Sequence, residues 1–146
     1  MHSRILVTGG RDYADIKTVE RTLEVAAAHL GYSDPFAAPI TLVHGDCKRY
    51  LPGGRVDPTR SADQLARQIA LLLRWTPEPH PVTPAMKDQW GPYRAPVERN
   101  RIMVELGADL CVSFPGGKGT ENCTKLARQA GIKIISVEVA EQPPLF

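Results

Sequence analysis

The sequence predicts a doubly wound α/β fold of three layers, with a mainly parallel sheet of about five strands. Short apolar runs rich in β-branched residues alternate along the chain with segments whose apolar residues recur at helical spacing. Three of the short runs end in a glycine-bearing turn. The 146 residues, 42% of them hydrophobic, are enough for one core that buries roughly 70% of the unfolded surface. We expect one domain over residues 1–140 with an inserted loop at about 48–60, followed by a short proline-containing tail at 141–146.

The first predicted unit is a strand at 5–7, a turn at 8–13 and a helix at 16–30. Asp15 is placed to cap the helix and Gly31 to end it. The turn contains Gly9, Gly10, Arg11 and Asp12. It is either a tight turn alone or a loop that faces a ligand, in which the Arg11 fork binds phosphate or carboxylate.

The second unit begins with a strand at 40–43, which ends in His44 and Gly45. Residues 48–60 interrupt the alternation, and we expect 50–59 to be a mobile inserted loop, since loops of this length are usually functional or disordered. A helical pattern resumes at Ser61, a plausible N-cap, and carries Asp63 in its first turn.

The segment 77–96 is rich in proline, which argues against a long helix and leaves room for a short edge strand around 80–83. Aromatic residues in or beside it are either core residues or a platform that stacks on a base; they are Trp75, Trp90 and Tyr93. Helical spacing returns at 97–106. We expect Arg99 and Asn100 in the first turn of this helix, where their side chains can reach a ligand.

The third glycine-bearing turn is the strongest functional signal in the chain. A predicted strand at 108–114 leads into it, a helix at 121–130 follows, and a strand at 132–139 ends the pattern. The turn residues are Pro115, Gly116, Gly117, Lys118, Gly119 and Thr120. Glycines permit close approach of the backbone, and the free N–H groups of the next helix suit a phosphate. The spacing is not that of a P-loop, because Gly119 separates Lys118 from Thr120.

All three glycine-bearing turns follow strands, so in a parallel sheet they converge on one edge, where doubly wound proteins bind ligands. We therefore predict a site there for a small anion or a nucleotide. The predicted ligand-binding residues are Gly9, Gly10, Arg11, Asp12, His44, Gly45, Asp63, Arg99, Asn100, Pro115, Gly116, Gly117, Lys118, Gly119 and Thr120.

Composition and charge limit the kinds of molecule that the protein is expected to bind. The formal net charge is +2, from 18 basic and 16 acidic residues, so nucleic acid is an unlikely partner and no membrane surface is indicated. No run is long enough to span a bilayer and the chain begins directly with a strand, so we expect a cytoplasmic protein. The cysteines, Cys47, Cys111 and Cys123, lack metal-ligand spacing, and we expect neither a metal nor a cofactor. Cys111 is expected to be a core residue.

Together these motifs resemble the SLOG superfamily of Rossmann-like proteins, which includes the LOG phosphoribohydrolases and the DprA-type DNA-processing proteins. The matching stretches are Thr-Gly-Gly-Arg-Asp at 8–12, His-Gly at 44–45, Ser-Ala-Asp at 61–63, Arg-Asn-x-x-Met at 99–103 and Pro-Gly-Gly-x-Gly-Thr at 115–120. The chain looks like the short single-domain branch with the Thr-Gly-Gly-Arg-Asp opening. The resemblance implies phosphate-binding loops and a homodimer or larger homo-oligomer.

Two positions depart from the LOG pattern. The LOG motif ends in a catalytic glutamate three residues after its threonine, and Cys123 stands there in this chain, while Arg99 matches the LOG arginine. Glu121 lies two residues earlier and, on a helix, points about 200° away from that position. The second departure is the insertion before Ser61, which occupies the position of a family glycine.

Three functions remain open at this stage. The first is binding of a nucleotide or nucleotide-derived signal, such as an ADP-ribose-like molecule, without cleavage. The second is hydrolysis of an N-glycosidic bond in a nucleoside monophosphate, with Arg99 and either Glu121 or Asp63 as the catalytic groups. The third is single-stranded DNA binding, which the low net charge disfavours.

Overall fold

In a computed structural model of the protein, which describes residues 1–139, strands and helices alternate throughout. The predicted tail at 141–146 lies outside the described residues. The elements are β1 (Ser3–Thr8), α1 (Ile16–His29), β2 (Ile40–His44), α2 (Ala62–Leu72), β3 (Thr76–Pro79), α3 (Pro84–Leu106), β4 (Leu110–Ser113), α4 (Lys118–Gln129) and β5 (Ile134–Ser136).

The strands form one parallel sheet in the order β3-β2-β1-β4-β5. β1 is central and pairs with β2 on one side and β4 on the other. The chain first builds outward from β1 through β2 to β3, then crosses back and builds outward through β4 to β5. The predicted doubly wound α/β fold is confirmed, and its topological switch point lies between β1 and β4.

Side chains of β1 alternate between two apolar cores, as a strand buried on both faces requires. Ile5 and Val7 pack with α1 and α2, whereas Leu6 packs on the opposite face with α3 and α4. Phe114, just after β4, belongs to the first core and contacts the Tyr13 ring at a centroid distance of 5.3 Å. Cys111 is fully buried in the second core, as predicted.

The helix caps predicted from the sequence are present in the structure. Asp15 accepts a hydrogen bond from the Thr18 amide at 3.1 Å at the start of α1, and Gly31 follows that helix with a φ of +96°. Ser61 caps α2 by accepting from the Gln64 amide at 3.4 Å. Trp75 is a core residue, and its indole Nε1 donates to the Pro35 carbonyl at 2.7 Å.

Two predictions for the proline-rich segment 77–96 were wrong. The edge strand is Thr76–Pro79 rather than 80–83, and its two prolines are tolerated because only one side of the strand pairs, with β2. α3 begins at Pro84 rather than at 97, with Thr83 as its N-cap, and it is broken at Gly91. Gly91 adopts a φ of +82°, so α3 consists of two helical pieces with prolines near their starts.

The last helix and the last strand begin or end a few residues from their predicted positions. α4 begins at Lys118, three residues earlier than predicted, so half of the glycine-rich motif belongs to its first turn. The last strand is shorter than predicted, at Ile134–Ser136. Within the insertion, residues 50–56 fold into a small hairpin, with a bridge between Tyr50 and Val56 around a turn at Gly53 and Gly54.

Within residues 1–139, no helix combines the length and apolar character needed to cross a lipid bilayer.

Candidate functional site

A cavity of about 260 Å³ opens at the carboxyl edge of the sheet, beside the switch point between β1 and β4. All three glycine-bearing turns contribute to it, together with the first turn of α2 and the middle of α3. The predicted residues that line it are Gly9, Gly10, Arg11, Gly45, Asp63, Arg99, Asn100, Gly117, Gly119 and Thr120. The structure therefore brings ten predicted site residues to one place.

The turns after β1 and β4 pack directly on each other, which explains their glycines. The Gly10 amide donates to the Pro115 carbonyl at 2.9 Å. A Cβ at Gly10 would lie 3.0 Å from that carbonyl oxygen, and one at Gly116 would overlap the Thr120 hydroxyl and lie 2.7 Å from the Gly10 nitrogen. Gly10 and Gly116 are thus needed for backbone contact between the two turns rather than for direct contact with a ligand.

The N-terminus of α4 faces the cavity. Gly117 is its N-cap residue, and no side chain within residues 1–139 caps the helix. A Cβ built at Gly117 or Gly119 meets no atom of the described chain within 4 Å. Both glycines line the cavity, so the first turn of α4, whose amides have no partner within the helix, forms part of its wall. Helix amides in this situation bind anions.

Arg99 is a buried cation on the wall of the cavity, only 6% exposed. Its Nη1 donates to the carbonyl oxygens of Gly45 at 2.5 Å and His80 at 3.1 Å. Gly45 is needed for this approach, because a Cβ there would lie 2.9 Å from the Arg99 Cζ. Arg99 therefore clamps the end of β2 to the segment that follows β3, and its Nη2 lies 3.8 Å from the Sγ of Cys47, another residue that lines the cavity.

Asn100 links this clamp to α4. Its Oδ1 accepts from Arg99 Nε at 2.9 Å, while its Nδ2 donates to the Gly119 carbonyl at 3.3 Å and to Asn122 Oδ1 at 3.0 Å. Arg99 and Asn100 lie in the second piece of α3, about two turns after it begins, so their predicted place in a first turn was wrong. The second piece begins at Pro92, directly after the break at Gly91, so seven of its residues precede Arg99.

Asp63 is a carboxylate in the cavity that is only 3% exposed. Its Oδ2 accepts a hydrogen bond from the Cys47 amide at 3.0 Å. Burial raises its pKa to about 6, although this hydrogen bond and the charge of Arg99 act in the opposite direction. Asp63 is thus a group that can exchange a proton near neutral pH.

Ser61 holds the chain in place just before Asp63. Its hydroxyl donates to the Cys47 carbonyl at 2.6 Å, and its φ of +83° lies in the region that favours glycine. The SLOG pattern has a glycine at this position. A non-glycine residue keeps such a conformation only when its surroundings fix it, as Cys47 does here.

Arg11 is exposed at the mouth of the cavity, and no carboxylate within residues 1–139 pairs with it. Asp12 lies outside the cavity and holds the insertion instead. Its carboxylate pairs with Arg49 Nε at 3.2 Å, and its carbonyl accepts from Arg60 Nη1 at 3.3 Å. Arg11 is therefore available to a ligand, whereas Asp12 is engaged.

His44 is fully buried below the site and does not line the cavity. Its Nδ1 accepts from the Asp46 amide at 3.1 Å, and its Nε2 has no partner within the described residues. Burial lowers its pKa to about 4, so the ring is neutral at pH 7.

The other predicted residues lie around α4 but outside this cavity. Glu121 is exposed and lines a separate depression together with Pro115 and Gly116, and Lys118 is exposed in the first turn. Cys123, at the LOG glutamate position, is buried in the second core, and burial raises the pKa of its thiol to about 11. The cavity that contains Arg99 and Asp63 thus does not include Glu121.

Sequence reasoning missed several residues that line the cavity, among them Cys47, Pro96 and Met103. Met103 stands in the quoted Arg-Asn-x-x-Met motif, one helical turn after Arg99, and that spacing could have identified it. Cys47 lies two residues after Gly45, at the start of the insertion. No group of three or more His, Cys, Asp or Glu side chains within residues 1–139 is arranged to hold a metal ion.

Comparison with known proteins identifies a relative encoded by a phage. No established family profile matches the chain. The chain is 33% identical over 138 residues to the Gene 61 protein of Mycobacterium phage D29, and the alignment covers 91% of this chain and 94% of the relative. Because the similarity extends over nearly the full length of both proteins, this chain belongs to the family of the Gene 61 protein of Mycobacterium phage D29.

Proposed function

We propose that this protein binds a nucleotide or a nucleotide-derived signalling molecule and acts by sensing or sequestering it. The observation that carries the proposal is the N-terminus of α4, which no side chain in the described part of the chain caps and which lines a cavity at the switch point of the sheet. The resemblance to the SLOG superfamily supports the same class of ligand.

A phosphate fits at the end of α4. The amides of Gly117, Gly119 and Thr120 supply donors there, and the N-terminal end of the helix dipole favours negative charge. Arg11 adds a mobile cation at the mouth of the cavity. Arg99 supplies a second positive charge from the wall, although most of its donors already hold the protein together.

A ribose fits beside Asp63. Its Oδ2 is occupied by the Cys47 amide, which leaves Oδ1 to accept a hydrogen bond from a sugar hydroxyl. Asn100 has a different role in this proposal, since its amide is used to join Arg99 to α4. It orients the site rather than contacting the ligand.

Sequestration fits what is known of the relative, which is a phage protein. Removal of a host nucleotide signal would serve a phage, and capture requires an anion site but no catalytic group. We propose this role for the present chain, together with membership of the SLOG superfamily.

The test is mass spectrometry of small molecules released when freshly purified protein is denatured. Wild type should release an intact nucleotide-derived compound, and Arg11→Ala should release much less. Arg21→Ala, which removes an exposed arginine of α1 far from the cavity, is the matched control and should behave as wild type. The proposal is contradicted if wild type releases no such compound and is not stabilised against heat by millimolar nucleotides.

A LOG-like hydrolysis of nucleoside monophosphates is the second candidate, and Asp63 is the observation that favours it. A carboxyl group with a pKa of about 6, inside the cavity, can act as a general acid or base near neutral pH. If the protein cleaves its ligand, Asp63→Asn should abolish release of free base. Glu121→Gln should not, because Glu121 lines a different depression. Loss of base release in Glu121→Gln alone would contradict this assignment.

A further inference from the structure

A second chamber of about 430 Å³ adjoins the proposed phosphate site. The two chambers share Arg11, Gly45, Cys47, Pro96 and Arg99 as common walls. We propose that they hold one ligand with two parts, a nucleoside diphosphate joined to a second sugar or nucleoside, and that the insertion at 48–60 binds the second part. This inference rests on the proposed function and specifies the class of ligand.

Size is the first argument. The chamber at α4, about 260 Å³, lies just below the range of about 300–1,000 Å³ in which most small-molecule sites fall. The adjoining chamber brings the joint space well inside that range. Because Arg11 and Arg99 line both chambers, a pyrophosphate group that spans the two chambers would lie near two positive charges.

Charge is the second argument. Besides the two shared arginines, the adjoining chamber is lined by Lys48 and Lys87, and Asp46 is the one acidic residue among 1–139 that lines it. Asp46 pairs with Lys48 at 3.0 Å and also accepts from Gln64 Nε2 at 2.9 Å, so its charge is already compensated. The chamber therefore carries a positive excess that favours an anionic ligand.

The insertion contributes an aromatic side chain to the adjoining chamber. Tyr50 is 60% exposed and lines the adjoining chamber together with Pro81, Pro92 and Pro96. An aromatic ring in such a position stacks on a base or on the apolar face of a sugar. The ion pair between Asp12 and Arg49 fixes the insertion next to the turn that carries Arg11.

The experiment compares matched ligands by isothermal titration calorimetry. Wild type is titrated with AMP and ADP-ribose, GMP and GDP-mannose, and UMP and UDP-glucose. For at least one pair, the two-part ligand should bind roughly tenfold more tightly than the mononucleotide, which is the effect of about one added charge-assisted hydrogen bond or stacked ring.

Two variants in the adjoining chamber, Tyr50→Ala and Lys87→Ala, should reduce this preference while leaving the affinity for the mononucleotide within about twofold of wild type. Arg55→Ala is the matched control, since Arg55 belongs to the same insertion but lines neither chamber. It should keep the full preference.

The outcomes separate this inference from the proposed function. If mononucleotides bind and the two-part ligands bind no better, or if the two variants weaken both kinds of ligand equally, the inference is overturned and the proposed function stands. If no nucleotide of either kind binds, both are overturned.

Discussion

Replacing Asp63 by asparagine should make the folded protein more stable at neutral pH, although it damages the proposed site. The folded-state pKa of Asp63 is about 6, against an ordinary value of 3.8. Between these two values the folded protein keeps a proton that the unfolded chain has lost, so the free energy of unfolding falls as pH rises through this window. Above pH 6 the loss is complete, and each pKa unit is worth about 1.4 kcal/mol, so ionised Asp63 costs about 3 kcal/mol at neutral pH.

Asparagine has nearly the same shape, and its Oδ1 can still accept the hydrogen bond from the Cys47 amide. The free energy of unfolding of Asp63→Asn should therefore exceed that of wild type by about 1 kcal/mol at pH 4.5 and by about 3 kcal/mol at pH 7.5. The favourable interaction between Asp63 and Arg99 is already contained in these values, since it acts on the same pKa.

Urea denaturation of wild type and variant at several pH values measures the difference directly. Asp88→Asn, at an exposed position on α3, is the control and should change stability by no more than about 0.5 kcal/mol at any pH. The reasoning is refuted if Asp63→Asn is no more stable than wild type at pH 7.5, or if the difference between them is independent of pH.

Two further predictions concern the framework of the site. Gly116→Ala should lower the free energy of unfolding by about 1–3 kcal/mol, because its Cβ would press on Thr120 and on the Gly10 backbone. Gly117→Ala meets no such obstacle and should lower it by less than about 1 kcal/mol, the cost of a poorer N-cap. Equal melting temperatures for these two variants would contradict the proposed turn-to-turn packing. Trp75→Phe should lower stability by about 1–3 kcal/mol, because the Pro35 carbonyl loses its donor, and thermal denaturation of the variant measures this. No change in its melting temperature would show that this hydrogen bond is dispensable.

The fold could be predicted because its signals are local and repeated. Each β-strand of the interior is a short apolar run, each helix has an apolar face, and the alternation of the two forces parallel pairing. β3 was misplaced because it is not apolar at all. Thr76–Pro79 forms an edge strand whose position is set by pairing with β2. This contact joins residues far apart in sequence, so the spacing of apolar residues within the segment does not reveal it.

The candidate site was predictable to the extent that it depends on backbone turns. The turns with Gly9, Gly45 and Gly117 all reached the same cavity, because parallel strands end at the same edge. Side-chain roles were less predictable. His44 is buried in the interior, and Asp12 binds Arg49 and Arg60 of the insertion, which lie far from it in sequence.

Arg99 was assigned to the site correctly, but its hydrogen-bond partners could not be predicted. The sequence indicated that it belongs to the site, which it does, but not that its guanidinium would be largely occupied by the carbonyls of Gly45 and His80. Glycine at 45 is explained by this packing rather than by a ligand. The mutual dependence of Gly45 and Arg99 becomes visible only in the folded structure, where the end of β2 and α3 are in contact.

The insertion at 48–60 has backbone hydrogen bonds of its own. Its internal hydrogen bonds, such as those from the Leu51 amide to the Arg55 carbonyl and from the Asp57 amide to the Arg49 carbonyl, close within the insertion itself. A family with this design can exchange the hairpin, and with it the wall of the adjoining chamber, while the two glycine turns at the centre of the sheet stay constant. Diversity among relatives should therefore concentrate in the length and composition of this one segment.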